Sequence, residues 1–84
     1  MRTPQAVDVI VGVLAPHIGE TTARAATSAH CRKLQLEGQS DASKLQALLE
    51  QLRVGLNVFV GRERSAEVIA RARTVLAAIE EAER

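Results

Sequence analysis

The chain has 84 residues, 46% of them apolar; alanine accounts for 14 residues, and valine, leucine and isoleucine together for 22. We expect a single domain over 1–84, because a chain this short buries only about 60% of its unfolded surface. One phenylalanine, without tyrosine or tryptophan, excludes base stacking as the main mode of binding. The 11 basic and 10 acidic residues leave a net charge of +1, which excludes a general polyanion binder, so nucleic acid is not an expected partner.

Cysteine content and hydropathy bear on the compartment. Cys31 is the single cysteine and cannot form an intramolecular disulfide, whereas small secreted domains usually depend on several, so we expect a cytoplasmic protein. The apolar segment 6–15 contains Asp8 and is shorter than the ~20 residues that cross a bilayer, so no membrane association is expected. Paired Cys/His spacings and glycine-rich phosphate loops do not occur, so we predict no metal and no cofactor.

The first half of the chain predicts two helices, over 4–15 and 20–35. Thr3 can cap the first helix ahead of a proline, and its apolar residues recur at helical spacing, although its valines also alternate as in a strand. Pro16 should end or kink this helix. The segment 20–35 is rich in alanine and has an intrinsic preference for helix.

The second half predicts two further helices, over 41–60 and 65–82. A turn at 37–41 contains a helix-stopping glycine and two possible N-caps, Ser40 and Asp41. The third helix then has a sustained apolar stripe. Its members are Leu45, Leu48, Leu49, Leu52, Leu56 and Phe59.

The fourth helix should begin at Ser65, after Gly61 has ended the third. Together these elements predict an all-α fold, a compact four-helix bundle with the leucine stripe of the third helix at its centre. The alternative is an α+β fold with short strands near 7–14 and 54–60, where β-branched residues alternate with other types.

The apolar surplus of the first helix suggests a function. That helix is apolar nearly all round, so in a four-helix monomer one flank should stay exposed unless the helix lies at the centre of the bundle. The sequence therefore predicts a non-enzymatic protein–protein interaction module, a small regulator or adaptor that binds another protein or itself as a homodimer. The candidate contact positions are apolar residues off the main stripes and two arginines at a rim: Val9, Val13, Val54, Val58, Arg62 and Arg64.

A second hypothesis concerns His30. Cys31 is its neighbour, and neighbouring side chains on a helix point about 100° apart, so the two do not form a nucleophile–base pair and no catalytic residue is predicted. The four residues His30 to Lys33 resemble the His-x-x-Lys part of histidine phosphotransfer domains, which are helical bundles. The resemblance implies a phosphorelay protein in which His30 accepts the phosphoryl group and Lys33 screens its charge.

A third hypothesis is a small DNA-binding regulator. Four arginines follow Gly61 and would contact phosphates in a helix-turn-helix arrangement. They are Arg62, Arg64, Arg71 and Arg73. Because Glu63 and Glu67 lie among them, the same pattern is also that of a solvated helix face.

Overall fold

A computed structural model describes residues 1–36 and 38–82, and these form four helices. They are α1 (Thr3–Ile18), α2 (Glu20–Lys33), α3 (Ala42–Val60) and α4 (Arg62–Ala82). The only extended pairing in the described ranges is a single antiparallel bridge between Arg2 and Gln39. The predicted all-α four-helix bundle is confirmed. The α+β alternative is wrong, because the segments 7–14 and 54–60 both lie in helices.

The helices α1 and α3 occupy the inner positions of the bundle. Each of them contacts the other three helices, whereas the described parts of α2 and α4 do not contact each other. Ile10 and Leu14 are fully buried, and Val7, Val9 and Val13 are partly buried against the same core. A helix that is apolar on nearly every side is therefore covered on several sides within one copy.

Two similar hairpins, α1–α2 and α3–α4, build the bundle. Gly19 ends α1 with φ 87° and ψ 150°, and Gly61 ends α3 with φ 85° and ψ 167°. Their backbone N–H groups donate to the carbonyls of Ala15 and Asn57, each four residues earlier. Because φ is positive at each of these glycines, the chain changes direction there and the next helix begins at the following residue. Glycine adopts this backbone conformation freely because it has no Cβ.

The end of α1 differs from the prediction, because the helix runs past Pro16 to Ile18. Proline at this position removes only the hydrogen bond to the carbonyl of Gly12. The last turn is still closed by the N–H of Gly19 on the carbonyl of Ala15, at 2.8 Å. A proline in the last turn therefore does not end this helix.

Two predicted helix caps are wrong, since both hydroxyls serve contacts between segments instead. Thr3 lies inside α1, and its hydroxyl is 2.6 Å from that of Ser40. Ser65 lies one turn inside α4, and its hydroxyl donates to the carbonyl of Arg53 on α3, at 2.8 Å. Of the two candidates before α3, Asp41 is the cap and accepts from the N–H of the third helical residue.

Candidate interaction surface

Three large hydrophobic side chains are exposed on the last turns of α3. The exposed fractions are 59% for Val54, 86% for Val58 and 63% for Phe59. Val54 and Val58 follow the buried Leu52 and Leu56 by two residues each, which places them about 200° around the helix from the core. We call these three residues the α3 ridge.

The position of Phe59 corrects the sequence analysis, which assigned this residue to the core stripe. Three residues beyond Leu56, its side chain is rotated by about 60° from that leucine. The rotation directs the ring to the boundary with α2, where it lines a groove near Thr22. The apolar stripe of α3 therefore extends to Phe59 in the sequence, whereas the buried core ends at Leu56.

The groove between α2 and α3 lies beside the ridge and contains a cavity of about 50 Å³. It forms because α2 contributes only Thr22, Ala26 and His30, while Gly55 of α3 contributes no side chain. The remaining lining residues are Leu14, Ile18, Leu52, Leu56 and Phe59. We call this feature the α2–α3 groove; apart from the imidazole and one hydroxyl, its lining side chains are apolar.

A hydrogen bond joins α2 and α3 at the groove. The Nδ1 of the half-buried His30 lies 2.9 Å from the amide oxygen of Gln51. Because an amide oxygen only accepts, Nδ1 carries the hydrogen in this arrangement. Lys33, the second residue of the phosphotransfer hypothesis, is exposed one turn later on α2.

The structure separates the other predicted contact residues. Val54 and Val58 lie together on the ridge, whereas Val9 and Val13 lie on α1 and are partly covered by the core. Arg62 and Arg64 are exposed at the start of α4, directly after the end of α3. The sequence analysis did not predict the groove. The signal in the sequence that could have indicated it is the occurrence of small residues on both helices, Ala26 on α2 and Gly55 on α3.

The four arginines of α4 do not form one patch. Eleven residues separate Arg62 from Arg73, so these two lie within about 20° of each other around the helix, and so do Arg64 and Arg71. The two pairs lie on opposite flanks, because Arg64 is about 200° from Arg62. Arg73 also donates from Nε to the amide oxygen of Gln46 on α3, at 3.1 Å.

Titratable groups outside the groove have shifted pKa values. A hydrogen bond from Arg53 lowers the pKa of the Glu50 carboxyl, and this ion pair lies on α3 directly before the ridge. Burial raises the pKa of the Cys31 thiol, which keeps it protonated at neutral pH and reduces its nucleophilicity. The lone cysteine therefore behaves as a small buried hydrophobic residue.

Within residues 1–36 and 38–82, His, Cys, Asp and Glu side chains do not gather in groups of three or more that could hold a metal ion. The helices of the same part of the chain are too short or too polar to cross a membrane. Comparison with protein-family models, with curated proteins and with solved structures finds no match to this chain.

Proposed function

We propose that this protein is a non-enzymatic interaction module, a small cytoplasmic regulator or adaptor that binds protein through the α3 ridge and the α2–α3 groove and self-associates. The observation that carries the proposal is the exposure of Val54, Val58 and Phe59 beside an apolar groove. Clustered exposed apolar side chains of this kind mark interaction sites on small soluble domains.

The expected gain from covering the ridge supports the proposal. Removing a valine or phenylalanine side chain fully from water contributes about 1.5–3 kcal/mol. Hot-spot residues at protein interfaces contribute about 2 kcal/mol or more and lie at the centre of the contact. Val58, which is 86% exposed, has the largest exposed fraction of the three and is the expected centre.

The chemistry of the groove favours binding over catalysis. Among the described lining residues, His30 is the one titratable group, and its Nδ1 is engaged with Gln51. General acid–base or nucleophilic catalysis requires a second group within hydrogen-bond reach to activate or orient the first. Gln51 cannot exchange a proton at neutral pH, so the pair serves to join two helices.

The test is site-specific photo-crosslinking in cells of the native host. A photoreactive amino acid replaces Val58 in one variant and Ala70 in a control variant, because Ala70 is exposed on a different helix, α4. We expect an adduct of reproducible mass from position 58, either twice the chain mass or the sum with one partner protein, and none from position 70. The absence of an adduct at position 58, or equal adducts at both positions, would contradict the proposed function.

A further inference from the structure

We propose that the occupant of the α2–α3 groove is a second copy of this chain, in a twofold dimer in which Val58 of each copy inserts into the groove of the other. This inference rests on the proposed function and specifies the partner. The bundle presents both halves of such a contact on one face, since Val58 lies one turn after the groove-lining Gly55 and about 60° from it around α3.

Under twofold symmetry, a side chain and a cavity that lie on the same face of the chain can pair with the cavity and the side chain of a second copy, and the dimer is then closed. In an isologous contact, a residue of the first copy meets a site on the second, and the same pair of contacts recurs with the copies exchanged. Val58 is 86% exposed in one copy. A rotation by 180° therefore buries two valines and fills two cavities at once.

The size of the cavity fits this occupant. Sites for small organic ligands have volumes of about 300–1,000 Å³, and the groove has a cavity of about 50 Å³. That volume accepts one short aliphatic side chain. An entering methyl group gains dispersion contacts with the apolar side chains that line the groove.

The surroundings of the groove also suit an identical partner. The α3 ridge and the described groove lining contain no acidic side chain and no lysine or arginine, so two copies of this face do not repel each other. On α2 the exposed residues Ala25 and Ala29 are small. Small side chains let the α3 helix of a second copy approach α2 closely, because the distance between packed helices depends on the residues at the contact.

The first test compares two glycine substitutions in the purified full chain by sedimentation equilibrium. Gly55 lines the groove and Gly12 lies on the exposed side of α1; both are helical, and a Cβ at either position meets nothing within 4 Å. Gly55→Leu should fill the groove and raise the dimer dissociation constant by about tenfold or more. Gly12→Leu should leave it unchanged, and leucine favours helix over glycine at both positions, so both variants should fold.

The second test locates the contact by disulfide formation in a Cys31→Ala background. Val58→Cys and Gly55→Cys variants are mixed and oxidised, and the control mixture pairs Val58→Cys with Ala70→Cys. We expect a mixed disulfide from the first pair and not from the second.

Three results would overturn the twofold dimer: a monomer at every soluble concentration, a dimer indifferent to Gly55→Leu, or equal disulfide yields in both mixtures. The failure of this inference is distinguishable from failure of the proposed function. A monomeric chain that still forms a host-protein adduct at position 58 disproves the dimer and leaves the interaction module standing.

Discussion

Thr27 is fully buried on the core side of α2, and its hydroxyl has no hydrogen-bond partner among the described residues. Burying a hydroxyl without a partner costs about 1–3 kcal/mol in proteins. Ser65 is equally buried, but its hydroxyl donates to the carbonyl of Arg53. The hydroxyl of Thr27 therefore lowers the free energy of unfolding and that of Ser65 raises it, although both side chains are small and lie in the same core.

We predict that Thr27→Val raises the free energy of unfolding by about 1 kcal/mol, because valine has nearly the same shape and no polar atom to desolvate. Threonine and valine have similar helix propensities, so the change isolates the hydroxyl. Ser65→Ala is the control and should lower the same free energy by about 1 kcal/mol, the usual contribution of a hydrogen bond. Urea titrations followed by circular dichroism give both values; a Thr27→Val variant less stable than the parent would contradict the argument.

The helix connections give a prediction at the scale of elements. Gly19→Ala and Gly61→Ala should each lower the free energy of unfolding by about 1–3 kcal/mol, because both residues have a backbone conformation that side chains disfavour. Crowding is not the cause, since a Cβ at either position meets nothing within 4 Å. Gly12→Ala, inside α1 and equally uncrowded, should raise stability by about 0.5–1 kcal/mol. Thermal unfolding of the three variants checks the contrast, and a loss of stability in Gly12→Ala would count against it.

The end of α2 provides a second prediction at this scale. Gln35 has a φ of 57°, in the left-handed region, and follows directly after the last turn of α2. The N–H of Leu36 donates to the carbonyl of Cys31 at 2.9 Å, which is the hydrogen bond that closes a helix around a left-handed residue. Gln35→Gly should raise the free energy of unfolding by about 0.5–1 kcal/mol in a urea titration, and Gln39→Gly, at an exposed position in the same connection, is the control that should not.

Some signals in the sequence predict these helices better than others. The apolar stripe of α3 and the alanine content of α2 predict the helices correctly, because burial of one face and intrinsic propensity act locally. Helix ends were less predictable. The hydroxyls of Thr3 and Ser65 match the pattern of helix caps. In the structure, however, the Thr3 hydroxyl pairs with that of Ser40, and the Ser65 hydroxyl donates to the carbonyl of Arg53. Such partners from distant segments cannot be identified from the sequence alone.

The candidate site was predictable in part for the same reason. Val54 and Val58 stand off the stripe of α3, so their exposure follows from helical geometry. Val9 and Val13 stand off the stripe of α1 in the same way, yet they are partly covered by the core. Which flanks of a helix are covered depends on how the two hairpins pack together, a property of the whole molecule that no single stripe encodes.

At the scale of the whole molecule, the junction between the hairpins joins two distant parts of the chain. The hydroxyls of Thr3 and Ser40 lie 2.6 Å apart, 37 residues apart in sequence, and both residues are buried. Backbone hydrogen bonds extend the contact, from the N–H of Thr3 to the carbonyl of Gly38 and from the N–H of Ser40 to that of Met1. The connection between α2 and α3 is therefore held against the start of α1, which fixes the second hairpin relative to the first.

A double-mutant cycle tests whether this junction couples the two hairpins. Thr3→Val or Ser40→Ala alone leaves one buried hydroxyl without its partner, and each should lower the free energy of unfolding by about 1–3 kcal/mol. The double variant removes both polar groups, so its loss should be smaller than the sum of the single losses by about 1 kcal/mol. Thr74 provides the control, because its hydroxyl bonds the carbonyl of Ala70 within its own helix, and Thr74→Val should add independently to Ser40→Ala. Additivity within the Thr3–Ser40 pair would mean that the two hydroxyls do not stabilise each other, and the fixed position of the hairpins would then depend on apolar packing between α1 and α4 and between α2 and α3.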